Sequence, residues 1–191
     1  MAKKSGSTWT DVKRAFLRLG QQDSTELVHE LFELSSENKT FLISRLIPQD
    51  RGTMLTAYRK RMQEPFYPSR GGIGKLQFAD ARSAVKEYQK ATNDVQGTLD
   101  LMLTFVESGN EFTHEYGDID EPFYDAVEGM MERFAKLLLS PEGRHLFPVF
   151  EERIRDLAKA SDGIGWGYSD SMADMIEQIM EEFEEQEESV E

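Results

Sequence analysis

The segment NDVQGTLDLMLTFVESGN, residues 93–110, decides the fold class of this chain. Its apolar side chains fall on nearly every side of a helix, and a helix of that kind belongs at the centre of a core. Asn93 and Gln96 have the spacing of a helix-capping box, and Ser108-Gly109-Asn110 is typical of a helix end. We therefore predict a central helix that closes at Ser108-Gly109-Asn110.

The segments on both sides of this helix have helical periodicity, and we find no convincing strand pattern. Further helices are predicted over about 9–19, 23–34, 36–46, 52–62, 78–91, 122–138 and 148–160, and from 169 into the 180s. The fold class is therefore all-α with about nine helices, arranged as an N-terminal helical hairpin array packed on or linked to a C-terminal helical bundle. In the second helix a buried stripe is predicted from five apolar residues: Leu27, Val28, Leu31, Phe32 and Leu34.

The segment EPFYPSRGGIGK, residues 64–75, is the best candidate for an internal boundary, because its prolines and glycines favour an ordered turn or a linker. We divide the chain into an N-terminal helical region (1–63), this connection (64–75), a C-terminal bundle (76–183) and an acidic tail (184–191) that is expected to fray. A Walker phosphate loop is excluded, since Ser69 stands where it needs glycine and Leu76 where it needs serine or threonine.

Composition excludes several classes of site. The 191 residues include no cysteine, which removes disulfides, thiolate nucleophiles and cysteine-held metal clusters and fits a reducing cytoplasm. We expect no signal peptide and no membrane span, because no sufficiently long apolar run is present. The net charge is −14, and the excess of acid lies after Lys75, so nucleic-acid binding is not expected there and only weakly indicated before it.

An acidic stretch, EFTHEYGDIDEPFYDAVEGM at residues 111–130, contains candidate ligand residues. His114, Asp118 and Asp120 offer nitrogen and oxygen atoms that metals or polar ligands accept, although no His-x-x-x-His or Glu-x-x-His pair is expected on a helix here. The alternative is the entrance of a helix at Pro122, with acids beside the positive end of its dipole. We favour the helix entrance and assign no metal ligand and no catalytic residue.

A glycine-rich stretch, SDGIGWGYSDSM at residues 161–172, is the second unusual segment. We favour a tight connection between helices that is anchored by Trp166, with Ser169 or Asp170 capping the next helix. The alternative is an anion held by backbone N–H groups at that helix start, which nearby Asp162 would oppose. A third possibility is a polar crevice shared by both unusual segments, for which the low-ranking ligand-binding candidates are His114, Asp118, Asp120, Asp162, Trp166 and Tyr168.

Three stretches together resemble a family of bacterial all-helical proteins that is known as a domain of unknown function. They are LVHELFELSSENKTFLISRL (27–46), FTHEYGDIDEPFYDAVEGMMERF (112–134) and GIGWGYSDSMADM (163–175). The resemblance runs from about residue 24 to the late 170s and implies an all-helical fold and a bacterial origin. It implies no activity, cofactor or catalytic residue.

Two functional hypotheses follow, and a weaker third. The favoured one is a non-enzymatic protein-interaction module, indicated by the lack of a complete catalytic set and by adaptable methionine stripes at Met130, Met131, Met172, Met175 and Met180. The alternative is a small enzyme or ion-binding protein that uses the crevice around His114, Asp118 and Asp162. The third is nucleic-acid contact by the first four helices. No cofactor is assigned, and the oligomeric state is left open.

Overall fold

The computed structural model describes residues 6–47 and 51–188, and over these residues it contains nine α-helices and no strand. The all-α prediction is confirmed. The helices are α1 (Trp9–Phe16), α2 (Gln21–Leu34), α3 (Ser36–Leu46), α4 (Arg51–Gln63), α5 (Ala79–Thr92), α6 (Val95–Tyr116), α7 (Glu121–Leu138), α8 (Phe147–Ser161) and α9 (Tyr168–Glu188). None of these helices is long and apolar enough to cross a bilayer.

Helix α6 lies at the centre of the molecule, as its sequence predicts. Its side chains are buried almost continuously from Gly97 to Thr113, and it packs against α4, α5, α7 and α8. Asp94 caps its first turn by accepting a hydrogen bond from the backbone N–H of Gly97 at 3.0 Å. The helix can therefore contribute to the core on every side.

The predicted end of this helix at Ser108-Gly109-Asn110 is wrong, because α6 continues to Tyr116 and ends at Gly117, whose φ is +85°. Gly109 lies inside the helix, where a Cβ atom would come within 2.8 Å of the Val127 side chain on α7. The glycine allows the close approach of α6 and α7 and does not stop the helix. Glu111 and His114 consequently lie in the last turns of α6, so the expectation that no Glu-x-x-His pair lies on a helix here is wrong.

The segment 64–75 is an ordered turn that joins parts of one core. Phe66 is fully buried and its ring packs edge-on against Phe105 of α6, with the centroids 5.1 Å apart. Gly74 donates to the carbonyl of Phe66 at 2.9 Å, and there is no room for a Cβ at Gly74 beside the Pro65 carbonyl. Helix α4 contributes Tyr58 and Met62 to the same core as the helices after residue 75.

The first three helices differ from the rest in burial. No residue of α1 or α2 is buried, and in α3 only Ser44 is, which donates its hydroxyl to the Ala91 carbonyl of α5 at 2.8 Å. The stripe of α2 that we predicted as buried is exposed or half-buried along its whole length. Helix α2 packs mainly against α3, and α3 in turn packs against α5 of the bundle, so the bundle does not cover this stripe.

The C-terminal helices largely follow their local signals. Pro122 lies in the first turn of α7, and Asp120 caps that helix by accepting from the N–H of Phe123 at 3.0 Å. A 3₁₀ turn, Arg144–Leu146, precedes α8, as Pro148 requires. Residues 184–188 of the predicted tail continue α9, while residues 189–191 lie outside the described residues.

Candidate functional site

The two unusual segments of the sequence do contact each other. The side-chain amide of Asn110 on α6 donates to the Ser161 hydroxyl at 2.8 Å, and the Tyr168 hydroxyl donates to the Asn110 side-chain oxygen at 2.5 Å. All three residues are almost fully buried. A buried polar group is stable only when it is hydrogen-bonded, so this chain of contacts fixes the start of α9 and the end of α8 against α6.

His114 and Asp118 take part in the same junction. Nε2 of His114 lies 2.6 Å from the Ala160 carbonyl oxygen, and because a carbonyl only accepts, this nitrogen must carry the proton. Oδ1 of Asp118 accepts from the Tyr124 hydroxyl at 3.0 Å, and a Cβ at Gly165 would lie 2.9 Å from the other carboxylate oxygen. The glycine at 165 thus allows close approach of the two segments without displacing the Asp118 side chain.

The other predicted ligand residues do not converge with these. Asp120 is engaged in capping α7, and Asp162 is an exposed residue at the end of α8. Trp166 is 63% exposed with a φ of +59°, so the prediction that it anchors the connection is wrong. Ile164 and Tyr168 are the buried anchors instead, since the turn at residues 165–167 points the intervening side chain outward.

The junction is explained by its structural contacts. His114, Asp118 and Tyr168 all have protein partners, and burial raises the pKa of Tyr168 above its ordinary value, which keeps its hydroxyl a donor. Within residues 6–47 and 51–184 no group of three or more histidine and acidic side chains is placed to share a metal ion. The arrangement holds three helices together and engages four of the six candidates in structural contacts, namely His114, Asp118, Asp120 and Tyr168.

A second polar site, which the sequence analysis missed, joins α4, α6 and α8. Arg59 donates twice to the Asp100 carboxylate at 2.6 and 2.8 Å, and Arg153 donates to the same carboxylate at 2.9 Å. Arg153 also donates twice to Glu107, at 2.6 and 2.8 Å. Asp100, an acid within an otherwise apolar helix, was the signal that could have indicated a buried charge with partners.

These ion pairs line a cavity of about 440 Å³, but its charges are largely matched within the protein. The hydrogen bonds that Arg59 donates to Asp100 raise the pKa of Arg59, so this guanidinium stays charged. On the opposite wall the Tyr88 hydroxyl donates to Asp94 at 2.7 Å. Because Arg59 and Arg153 already meet carboxylates, we interpret this cavity as a charged joint between helices and not as the main binding site.

A groove between α2 and α3 has a different character. It encloses about 310 Å³, and its walls are almost entirely apolar: Thr25, Val28, His29, Phe32, Leu42, Ile43, Leu46 and Ile47. Of the fifteen large hydrophobic side chains that are exposed among the described residues, eleven lie between Trp9 and Ile47. Monomeric proteins rarely expose apolar surface in such concentration, so this region is the best candidate for a binding surface.

Comparison with protein-family models, with curated proteins and with solved structures found no significant match to this chain. The resemblance to a bacterial helical family therefore stays a prediction, and the functional argument depends on the geometry alone.

Proposed function

We propose that this protein is a non-enzymatic interaction module whose α2–α3 groove binds an amphipathic helix of another protein. One observation carries the proposal: apolar side chains are exposed on α1–α3 while those of the bundle behind them are buried. A groove between two helices with apolar walls is the usual receptor for a helix that inserts residues at i, i+3, i+4 and i+7. The extent of the groove along α2, from Thr25 to Phe32, matches two turns of such a helix.

The charge beside the groove defines the partner further. Helix α2 carries the acidic residues Asp23, Glu26, Glu30 and Glu33 and no lysine or arginine. A partner helix with lysine or arginine beside its apolar stripe would meet opposite charge at this edge, which favours encounter and fixes orientation. The formal net charge of −14 opposes association of two copies of this chain and favours a separate partner.

The bundle supports the groove. Helix α3 packs on α5, and the hydrogen bond from Ser44 to Ala91 fixes it there, so one wall of the groove is held on the bundle. The cytoplasmic location and bacterial origin that the sequence predicts form part of the proposal, and the lack of cysteine is compatible with them. The alternative of an enzyme or ion-binding site at residues 111–121 and 161–170 gains no specific observation, because His114 and Asp118 at its centre already have protein partners.

A photo-crosslinking amino acid placed in the full chain tests the proposal. Leu46 lines the groove and is 69% exposed, whereas Ile73 is 63% exposed but lies in the turn before α5. We expect an adduct from position 46 and none from position 73, and mass spectrometry should locate the crosslink in an amphipathic helix with basic residues. Leu46→Glu should weaken capture of that partner and Ile73→Glu should not.

Three outcomes would overturn the proposal. These are the absence of any adduct at position 46, equal adducts at both positions, and an adduct that consists only of a second copy of this chain. Leu46→Glu is a suitable variant because its side chain is exposed, so replacing it should leave the fold intact.

A further inference from the structure

A second cavity, independent of the groove, lies between α5 and α7 and encloses about 380 Å³. Four cationic side chains line it: Arg82, Lys86, Arg133 and Lys136. Glu142 is the single carboxylate among the lining residues, so the lining carries a formal charge of +3. That sign is unusual for a chain whose formal net charge is −14.

These four cations differ from the other lysines and arginines after Lys75 in their ion pairing. After Lys75 the chain has nine lysines and arginines, and the five outside this cavity are all in ion pairs: Lys90, Arg144, Arg153, Arg155 and Lys159. Among the described residues, no carboxylate lies within ion-pair distance of the four in the cavity. In a region so rich in acid, four neighbouring cations without such a contact call for an explanation.

Their spacing also brings like charges together. Arg82 and Lys86 are four residues apart on α5, and Arg133 and Lys136 are three residues apart on α7, so each pair shares a helix face. Like charges at these spacings destabilise a helix. An anion bound between the two helices would offset this repulsion on both sides at once.

The floor of the cavity is apolar. Val85 and Met102 are buried there, Leu137 is half-buried, and Gln89 and Ser140 add neutral polar groups. An inorganic anion has no apolar part that could pack against this floor. The volume falls in the range of small-molecule sites, which combine apolar walls with a few orienting polar groups.

We infer that this cavity, which we call the α5–α7 cavity, binds a small organic anion whose carboxylate or phosphate lies among Arg82, Lys86, Arg133 and Lys136 and whose apolar part covers Val85, Met102 and Leu137. Guanidinium groups donate two parallel hydrogen bonds to either kind of anion, so both oxyanions fit the same four cations. The inference does not depend on the groove, since no lining residue is shared between the two sites.

Titration of the isotope-labelled full chain with phenyl phosphate, phenylacetate and inorganic phosphate, followed by amide NMR shifts, tests the inference. We expect saturable shifts clustered on α5 and α7 with at least one of the two aromatic anions, and weaker binding of inorganic phosphate, which lacks the apolar part. The first two probes distinguish a phosphate ligand from a carboxylate ligand. Arg82→Gln combined with Arg133→Gln should weaken the binding at least ~10-fold, the loss expected for two charge-assisted hydrogen bonds.

A matched variant controls for total charge. Arg155→Gln combined with Lys159→Gln removes two positive charges from exposed ion pairs on α8 and should leave the affinity within about twofold. The cavity variant should also melt no lower than the parent chain, because it relieves like-charge contacts and breaks no described ion pair. That readout separates loss of binding from loss of fold.

The inference is overturned if neither aromatic anion shifts the α5 and α7 amides, or if the control variant weakens binding as much as the cavity variant. Equal affinity for inorganic phosphate and phenyl phosphate would overturn the assignment of the apolar floor.

Discussion

The hydroxyl of Tyr168 donates to the side-chain oxygen of Asn110 at 2.5 Å, and these residues are 1% and 2% exposed. The Asn110 side chain also donates to the Ser161 hydroxyl, so one amide links the start of α9 and the last residue of α8 to α6. The residues are separated by 51 and 58 positions along the chain. The junction therefore exists only in the folded protein.

Tyr168→Phe should lower the free energy of unfolding by roughly 1–3 kcal/mol, because the Asn110 oxygen is left buried without its donor. Asn110→Ala should cost a similar amount, and the double variant should cost less than the sum, since both changes break the same bond. Urea unfolding of the four chains measures this. Tyr116→Phe, at an exposed tyrosine, is the control and should change little. Strict additivity would contradict the proposed coupling.

Gly109→Ala should destabilise the protein by about 1–3 kcal/mol, since the new methyl group would lie 2.8 Å from the stiff Val127 side chain. Gly129→Ala is the matched change, because it lies within α7 with no atom within 4 Å of the new Cβ. There alanine should stabilise by roughly 0.5–1 kcal/mol through helix propensity. Opposite shifts in melting temperature are expected, and shifts of the same sign would argue against close packing at Gly109.

Asp100→Ala should destabilise by roughly 3 kcal/mol, at the low end for breaking a buried ion pair because Arg59 is partly exposed. Removing the carboxylate leaves Arg59 without its partner and Arg153 with Glu107 alone. Asp156→Ala breaks an exposed pair with Lys159 and should cost at most about 1 kcal/mol. Chemical denaturation compares the two, and similar small losses would show that the joint contributes little.

Asp120→Ala should lower the free energy of unfolding by about 1 kcal/mol, because it removes the acceptor for the Phe123 N–H at the start of α7. Asp120→Asn retains a capping oxygen and should lose much less. Asp162→Ala, an exposed acid in the neighbouring connection, should be nearly neutral. A loss at Asp162 as large as that at Asp120 would indicate a role other than capping.

Burial, with the nearby carboxylates of Glu115 and Glu111, raises the pKa of Tyr67 to about 12 from an ordinary value of 10.0. The unfolded chain therefore ionises this hydroxyl at lower pH than the folded chain does. The stability from Tyr67 is fully present below about pH 10 and is lost as the pH rises through about 12. Urea unfolding at a series of alkaline pH values should show a shallower loss for Tyr67→Phe, and equal slopes for the two chains would contradict this.

Local signals predicted much of the fold correctly. The proline and acids before Phe123 marked the start of α7, because capping and the helix dipole act within one turn. The apolar pattern of residues 95–106 identified the central helix for a similar reason. Gly109 was misinterpreted as a helix end because glycine serves both at helix ends and at helix contacts, and only the position of Val127 distinguishes these uses.

The candidate site was predictable only in part. Proximity of the segments 111–121 and 161–170 was anticipated as one possibility, and they do meet, but Trp166 is exposed and Tyr168 is the buried residue. The positive φ at Trp166 and Gly167 turns the chain there, and periodicity does not describe a turn of this kind. The sequence of α2 predicts an apolar stripe but not its exposure, because other helices of the chain determine whether the stripe is buried.

Sequence alone determined that this chain is helical, where most of its helices begin, and that α6 lies at the centre, because hydrophobic period and capping are properties of neighbouring residues. Tertiary structure decided which charges are paired and which apolar faces remain exposed. It also decided which glycine lies where two helices pack closely together. Those outcomes depend on distances between residues far apart in the chain. Arg153 and Arg133 illustrate the reason: both follow acids in helices, yet only the first lies opposite carboxylates of another helix.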